Sequence, residues 1–159
     1  MACWGEIART APEFAARARR RLDSRIHKTI ATLRTDGSPR ISGIETFFAE
    51  DDLWVGSMPN ARKALDLLRD ARFALHSGSV DPPEWEGDAK LSGRAEEVTE
   101  PDRRLAIFRT RGSDPPSPDS HLFRLDIHEA VLVGLNDAGD RLVVELWRPG
   151  REVKRIERE

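Results

Sequence analysis

The sequence predicts a mainly β chain with short helices, folded as an antiparallel barrel or sandwich. Three observations predict it. Apolar and polar residues alternate with period two over most of the stretch from Lys28 to Trp147. The alternating segments follow one another through short turns rich in Gly, Asp and Asn. Helical stretches stand between strands as spacers and do not repeat in a βαβ order, which argues against a doubly wound nucleotide fold.

The chain opens with a predicted helix over about 10–23. Thr10-Ala-Pro-Glu13 has capping-box spacing, a hydroxyl followed three residues on by a carboxylate. Phe14, Ala18 and Leu22 form one apolar stripe, with Arg17, Arg19, Arg20 and Arg21 mostly off it. That basic face is either solvated or a docking face for an acidic partner. From Lys28 the period changes. Thr29–Leu33 and Ile41–Phe48 flank Thr35-Asp-Gly-Ser-Pro39, a hairpin signal because Gly tolerates the positive φ of the turn. A second turn at Glu50-Asp51-Asp52 leads into Leu53–Ser57, completing a meander. Gly43 and Gly56 lie inside strands, where Gly marks a bulge or a close backbone approach.

A helix is predicted from Asn60, as N-cap, to Arg69, with Ala61, Ala64, Leu65 and Leu68 buried. Arg72–Ser77 returns to strand, with Phe73 and Leu75 on one side. The segment from Gly78 to Gly87, containing Pro82-Pro83, reads as loop. Asp88–Thr99 alternates Ala89, Leu91, Gly93 and Ala95 against Lys90, Ser92, Arg94 and Glu96, which predicts a half-exposed strand. Pro101 starts a short helix with Leu105 and Phe108 inward. A Pro-rich loop spans Gly112–Asp119. His121–Leu135 is long and β-rich, with a break expected near His128-Glu129. Arg141–Trp147 is the last strand. The charged tail from 149 to 159 is expected to be disordered or a frayed helix. The tally is six or seven strands and three helices.

Length and charge narrow the class. With 159 residues, the chain suits a single domain with its own core, a barrel over about 27–148. Net charge is −2 with 34% charged residues, which excludes a strongly basic nucleic-acid grip. No apolar run reaches the ~18 residues of a membrane span. No signal core opens the chain, so a cytoplasmic protein is expected. One cysteine, Cys3, excludes an internal disulfide and a Cys-rich metal site. His27, His76, His121 and His128 show no metal-ligand spacing and are assigned structural or surface roles. Asp51/Asp52 and Glu96/Glu97 read as turn and surface charge. Trp4, Trp54, Trp85 and Trp147 suit ring stacking or core packing. Phosphate-loop, nucleophile-elbow and dinucleotide glycine motifs are absent.

The chemistry-bearing stretch is Gly56-Ser57-Met58-Pro59-Asn60-Ala61-Arg62-Lys63-Ala64. A helix N-terminus is partly positive and carries unpaired N–H groups, so cations there cost about 0.3–1 kcal/mol each. Arg62 and Lys63 stand in the predicted first turn. A bound phosphate or carboxylate would reverse the sign of that cost; the alternative is that both side chains splay into solvent. A second candidate is the strand Arg40-Ile-Ser-Gly-Ile-Glu45. Arg40, Ser42 and Ile44 share one face, and Gly43 either lets a flat ring approach the backbone or permits barrel curvature.

The order Thr29–Pro39, an apolar strand, Asp52-Leu-Trp-Val-Gly-Ser57, then Ala61-Arg-Lys-Ala-Leu-Asp-Leu-Leu-Arg-Asp70 resembles the pyridoxamine 5'-phosphate oxidase-like, FMN-binding split-barrel superfamily. The similarity runs from about Arg25 to Ser77, and more loosely to the ending Trp147-Arg-Pro-Gly150. It implies a split antiparallel β-barrel that forms a homodimer, with a flavin in a groove between subunits. It implies Arg62, Lys63 and Ser57 as phosphate ligands and Arg40 at the start of the second strand; Ser42, on the face of Arg40, and Met58, next to Ser57, are added as cofactor-binding candidates. Glu45 stands where family oxidases place a Lys, and would either repel an anionic substrate or face solvent. Ala61 replaces a hydroxyl, and the C-terminal Arg/His substrate motif is missing, so the substrate need not be pyridoxamine phosphate. The resemblance implies an oxidoreductase acting on a small molecule with FMN or the 5-deazaflavin coenzyme F420. The alternatives are a non-catalytic cofactor or haem carrier, and a structural dimer that binds no cofactor. No protein acid or base is assigned, and no metal. The loops 79–86 and 113–120 are expected either to cover the substrate or simply to be floppy.

Overall fold

The computed structural model describes residues 2–112 and 117–159. Two helices open the chain, α1 (Trp4–Thr10) and α2 (Pro12–Asp23), where the sequence predicts one. Thr10 closes α1 and caps nothing. Its hydroxyl donates to Glu6 O at 2.8 Å and accepts from Trp147 Nε1 at 3.3 Å. Pro12 starts α2, where its missing N–H costs no helical bond. The predicted stripe is buried, with Ala15 added. The basic face is tied to the rest of the molecule. Arg17 makes two hydrogen bonds to Glu145, Arg19 lies over the Phe48 ring, and Arg21 donates to Asp88 O. Hydrogen bonding to Arg17 outweighs burial and holds the Glu145 carboxyl below its ordinary pKa.

The strands are β1 (His27–Leu33), β2 (Pro39–Ala49), β3 (Asp52–Ser57), β4 (Arg72–His76), β5 (Asp88–Glu97), β6 (His121–Leu135), β7 (Leu142–Trp147) and β8 (Lys154–Arg158). Helices α3 (Arg62–Arg69) and α4 (Pro101–Thr110) lie between them. All pairings are antiparallel, in the order β3-β2-β1-β4-β5-β6-β7-β8. A further pairing, β3 with β6, closes six strands into a barrel. The split-barrel class read from the sequence is the class observed. Both early turns form as expected. Gly37 takes φ 83°, and Glu50 and Asp51 take φ 49° and 60°, the left-handed pair a tight hairpin needs.

One core fills the barrel beneath α1 and α2, built from Phe14, Leu22, Ile30, Leu53, Val55, Leu75, Phe123, Leu125 and Trp147, among others. A smaller cluster of Trp54, Ile107, Phe108 and Leu122 lies under α4. Trp4, Trp54 and Trp147 are therefore packing residues. In α4 it is Ile107 with Phe108 that is buried, and Leu105 is only half-buried. Glu100 caps α4 by accepting from the Asp102 and Arg103 amides.

Further expectations are corrected. The break near His128 is a bulge within a continuous strand: Ser92 pairs Glu129 and Gly93 pairs Ile127, leaving His128 over. The tail is not frayed, because Lys154–Arg158 pairs with β7 as the eighth strand. Helix α3 starts at Arg62, after Ala61, because Asn60 has φ 58° and cannot serve as its N-cap. Its buried face is Ala64, Asp66 and Leu67, while Leu65 and Leu68 are 37% and 50% exposed. Asp66 is the physical reason. It is 3% exposed and accepts from Thr32 Oγ1 at 2.8 Å, Arg40 Nε at 2.7 Å and Arg69 Nη2 at 3.1 Å. This network rotates the helix so that a carboxylate, not two leucines, faces β1 and β2. Residues 79–86 join β4 to β5, and part of the candidate cover over 113–120 lies outside the described residues. Among the described residues no helix is long and apolar enough to cross a membrane.

Candidate functional site

A groove of about 300 Å³ opens where β1, β2, β3, α3 and α4 meet. The strands set it. Side chains alternate across a strand, so β2 turns Gly43 and Glu45 into the groove while Arg40 and Ser42 face elsewhere. β3 ends at Ser57, and the chain turns through Met58-Pro59-Asn60-Ala61 to launch α3. Gly56, Ser57, Met58, Ala61 and Lys63 line that side. Phe108 lies beside Gly56, where an added Cβ would sit 3.3 Å from the ring. His27, Ile44, Arg111 and Ser120 complete the lining.

Helix α3 begins with two cations, without a capping side chain and without an acid in its first turn. Its first N–H groups therefore point outward without a protein side chain to accept from them. The two cations behave differently. Lys63 turns into the groove and its Nζ donates to Gly43 O at 3.0 Å. Arg62 is exposed and makes no hydrogen bond or ion pair among the described residues. Neither picture from the sequence is complete: one cation points into the groove, the other into solvent.

The opposite end of the groove is a charge cluster. Arg111 Nη2 donates to Glu45 Oε2 at 3.1 Å and lies over the Phe47 ring at 4.9 Å. His27 Nε2 is 3.5 Å from Glu45 Oε1. Glu45 is thus paired and lines the groove. The wall between the two ends is apolar or small. At Gly43 an added Cβ would meet nothing within 4 Å, so the strand leaves an open, flat stretch of backbone there.

The structure brings Ser57, Met58 and Lys63 together around one groove, with Arg62 between two lining residues. Arg40 and Ser42 do not line it. Arg40 instead binds Asp66 and so fixes α3 on the sheet. Burial alone would raise the Asp66 pKa, but hydrogen bonds from Arg40, Thr32 and Arg69 outweigh it and hold the carboxyl below its ordinary value. Sequence reasoning missed Arg111, His27 and Phe108, which come from distant segments without a local motif. Among the described residues no group of three or more His, Cys, Asp or Glu is placed to hold a metal ion.

The family model for pyridoxamine 5'-phosphate oxidase matches residues 14–134, more than half of the chain. The chain belongs to the pyridoxamine 5'-phosphate oxidase family. No curated protein matches it. Solved structures share the fold of this family member at low identity. A pyridoxamine 5'-phosphate oxidase-related, FMN-binding protein from Nostoc punctiforme has a TM-score of 0.66 at 13% identity, over 91% of this chain and 94% of that one. PhzG from Burkholderia lata, solved with tetrahydrophenazine-1-carboxylic acid, has a TM-score of 0.63 at 16% identity, over 94% and 87%. An F420 reductase has a TM-score of 0.54 at 18% identity, over 69% and 92%. These likenesses speak for the fold of the oxidase family and leave the substrate of this member open.

Proposed function

We propose that the chain is a flavin- or deazaflavin-dependent oxidoreductase acting on a small organic substrate. The observation that carries this is the uncapped start of α3, with Lys63 turned into a groove whose glycine wall is open. The residues fit such a cofactor. Ser57, Arg62, Lys63 and the α3 N–H groups would hold its phosphate, and the backbone at Gly43 would accept a flat ring. When bound, the cofactor would supply hydride transfer; the protein would supply position and charge. Phe108 and Ile44 give the groove an apolar lining, and Met58, 71% exposed, stands at its rim. Arg111 and His27 hold Glu45 in place, which keeps a carboxylate at the end away from Lys63 and disfavours a strongly anionic substrate there.

Titrating FMN and F420 separately, read by tryptophan quenching or retained absorbance, tests the proposal. Arg62→Ala with Lys63→Ala is expected to weaken binding by about 2–4 kcal/mol, from about 1.5–3 kcal/mol per charged hydrogen bond with incomplete additivity. Unchanged affinity rejects the site. Gly43→Val is expected to lower affinity at least about tenfold by filling the ring position, with thermal stability unchanged or raised because valine suits a strand. A variant that binds as wild type places the ring elsewhere.

The family neighbours that bind FMN or are F420 reductases support both cofactors. We also propose a homodimer. A second, more apolar groove of about 330 Å³ crosses β1, β2, β4, β5 and β6, and Ile41 in its lining is 74% exposed. A patch of that kind marks an association surface. Sedimentation is expected to show twice the monomer mass, and a monomer at micromolar concentration counts against it. The rival reading is a non-catalytic carrier. It is favoured by the pairing of Glu45, the groove's one carboxylate among the described residues, with Arg111 and His27. Cofactor binding without hydride exchange with any donor would establish it.

A further inference from the structure

Glu97 and His121 stand behind the turn that launches α3, and neither lines the groove. His121 opens β6 directly opposite Ser57 in register. Its Nδ1 lies 2.6 Å from Glu97 Oε1, and its Nε2 lies 3.4 Å from the Asn60 backbone N. Both side chains are largely shielded, at 14% and 22% exposure. The imidazole is nearly parallel to the Phe123 ring, 18° between planes and 6.0 Å between centroids. The ring plane is therefore set on one side by packing and on two edges by polar contacts.

Those contacts select one tautomer. An ionised carboxylate only accepts, so Nδ1 carries the proton. A backbone N–H only donates, so Nε2 must present its lone pair to Asn60. Asn60 has φ 58°, a left-handed conformation that a non-glycine residue keeps only where its surroundings hold it. It stands two residues before the first residue of α3.

We propose that Glu97 and His121 form a positioning pair. Glu97 fixes the imidazole as the Nδ1–H tautomer, and Nε2 holds the Asn60 N–H, so the turn over residues 58–61 is set before any ligand arrives. The pair thereby sets the start of α3, from which Lys63 turns into the groove. The anion-binding purpose rests on the function proposed above; the tautomer and the hold on Asn60 do not.

The test compares the full chain with H121Q, H121F and E97Q. Imidazole ¹⁵N shifts read the tautomer, amide exchange at Asn60 reads the hold, and inorganic phosphate is titrated against the Arg62 and Lys63 amide signals. Wild type is expected to show Nδ1–H. Asn60 exchange should speed about tenfold or more in H121F, which keeps the ring but offers no acceptor. It should stay slow in H121Q, whose carboxamide oxygen can replace Nε2. In E97Q the side-chain amide can donate to Nδ1, which frees the ring to place its proton on Nε2, so exchange should speed as in H121F. Phosphate affinity should fall about fivefold in H121F and E97Q and hold in H121Q. An Nε2–H tautomer in wild type, or equal Asn60 exchange in all four proteins, overturns the proposal. If phosphate shifts no signal in wild type while tautomer and exchange behave as expected, the pair stands and the anion site falls. If H121F fails to fold, the wild-type tautomer and E97Q still decide.

Discussion

Gly93→Ala is expected to destabilise the barrel by about 4 kcal/mol or more, the range of the most damaging single substitutions. A Cβ at Gly93 would lie 1.8 Å from Asp126 O and 2.9 Å from Asp126 C. Both obstructing atoms are backbone, so no side chain can swing aside. They belong to β6, the strand with the most extensive pairing to β5, at the point where the register shifts. Relief requires prying the two strands apart where Leu91, Ala95, Leu125 and Ile127 are buried beside them. Urea denaturation should show a much lower midpoint with little change in slope, since the surface exposed on unfolding is the same. A variant within about 1 kcal/mol of wild type would mean that the bulge opens without resistance. The alternation put Gly93 on one face with Ala89, Leu91 and Ala95, but nothing local told of the carbonyl above it.

Asp66→Ala is expected to cost about 3–5 kcal/mol, the penalty for breaking a buried ion pair from one side. It leaves the Arg40 guanidinium half-buried without its carboxylate and the Thr32 hydroxyl buried without its acceptor. Asp66→Asn keeps the shape and should cost less. The pH dependence has a definite sign. The folded-state pKa of Asp66 is depressed, so its contribution is fully present above the unfolded value of about 3.9. It is lost as pH falls through the depressed value. Thermal melts of wild type and Asp66→Asn should therefore differ by a constant amount at neutral and mildly acid pH and converge in strong acid. A gap that widens as pH falls would show that the carboxyl is neutral in the folded protein. If α3 binds phosphate as proposed, loss of Asp66 should also weaken that binding, because Asp66 anchors the helix that carries Arg62 and Lys63.

The fold was legible because strands announce themselves locally. Phe73 and Leu75 against Ala74 and His76, or Ala89 and Leu91 against Lys90 and Ser92, need only the period of a pleated chain. Turn chemistry at Asp36-Gly37 was equally local. What the sequence hid depends on contacts between distant segments. Leu65 and Leu68 look like a buried helix face until Thr32 and Arg40 supply partners that draw Asp66 inward. The tail looks like a charged coil until β7 offers it a ladder, with Ile156 half-buried on one side. The candidate site divides in the same way. The charge anomaly near a helix start pointed to Lys63 and Ser57, and both line the groove. The Glu97–His121 contact spans 24 positions and leaves no spacing to recognise.

Ring closure through β3 and β6 has a bearing on self-association. A sheet rolled shut presents no row of unpaired backbone amides along the six strands that form it. The described chain leaves β8 as an open margin, and four of its five residues are charged: Lys154, Arg155, Glu157 and Arg158. Such a margin is a poor template for runaway strand addition, the usual route to fibrils.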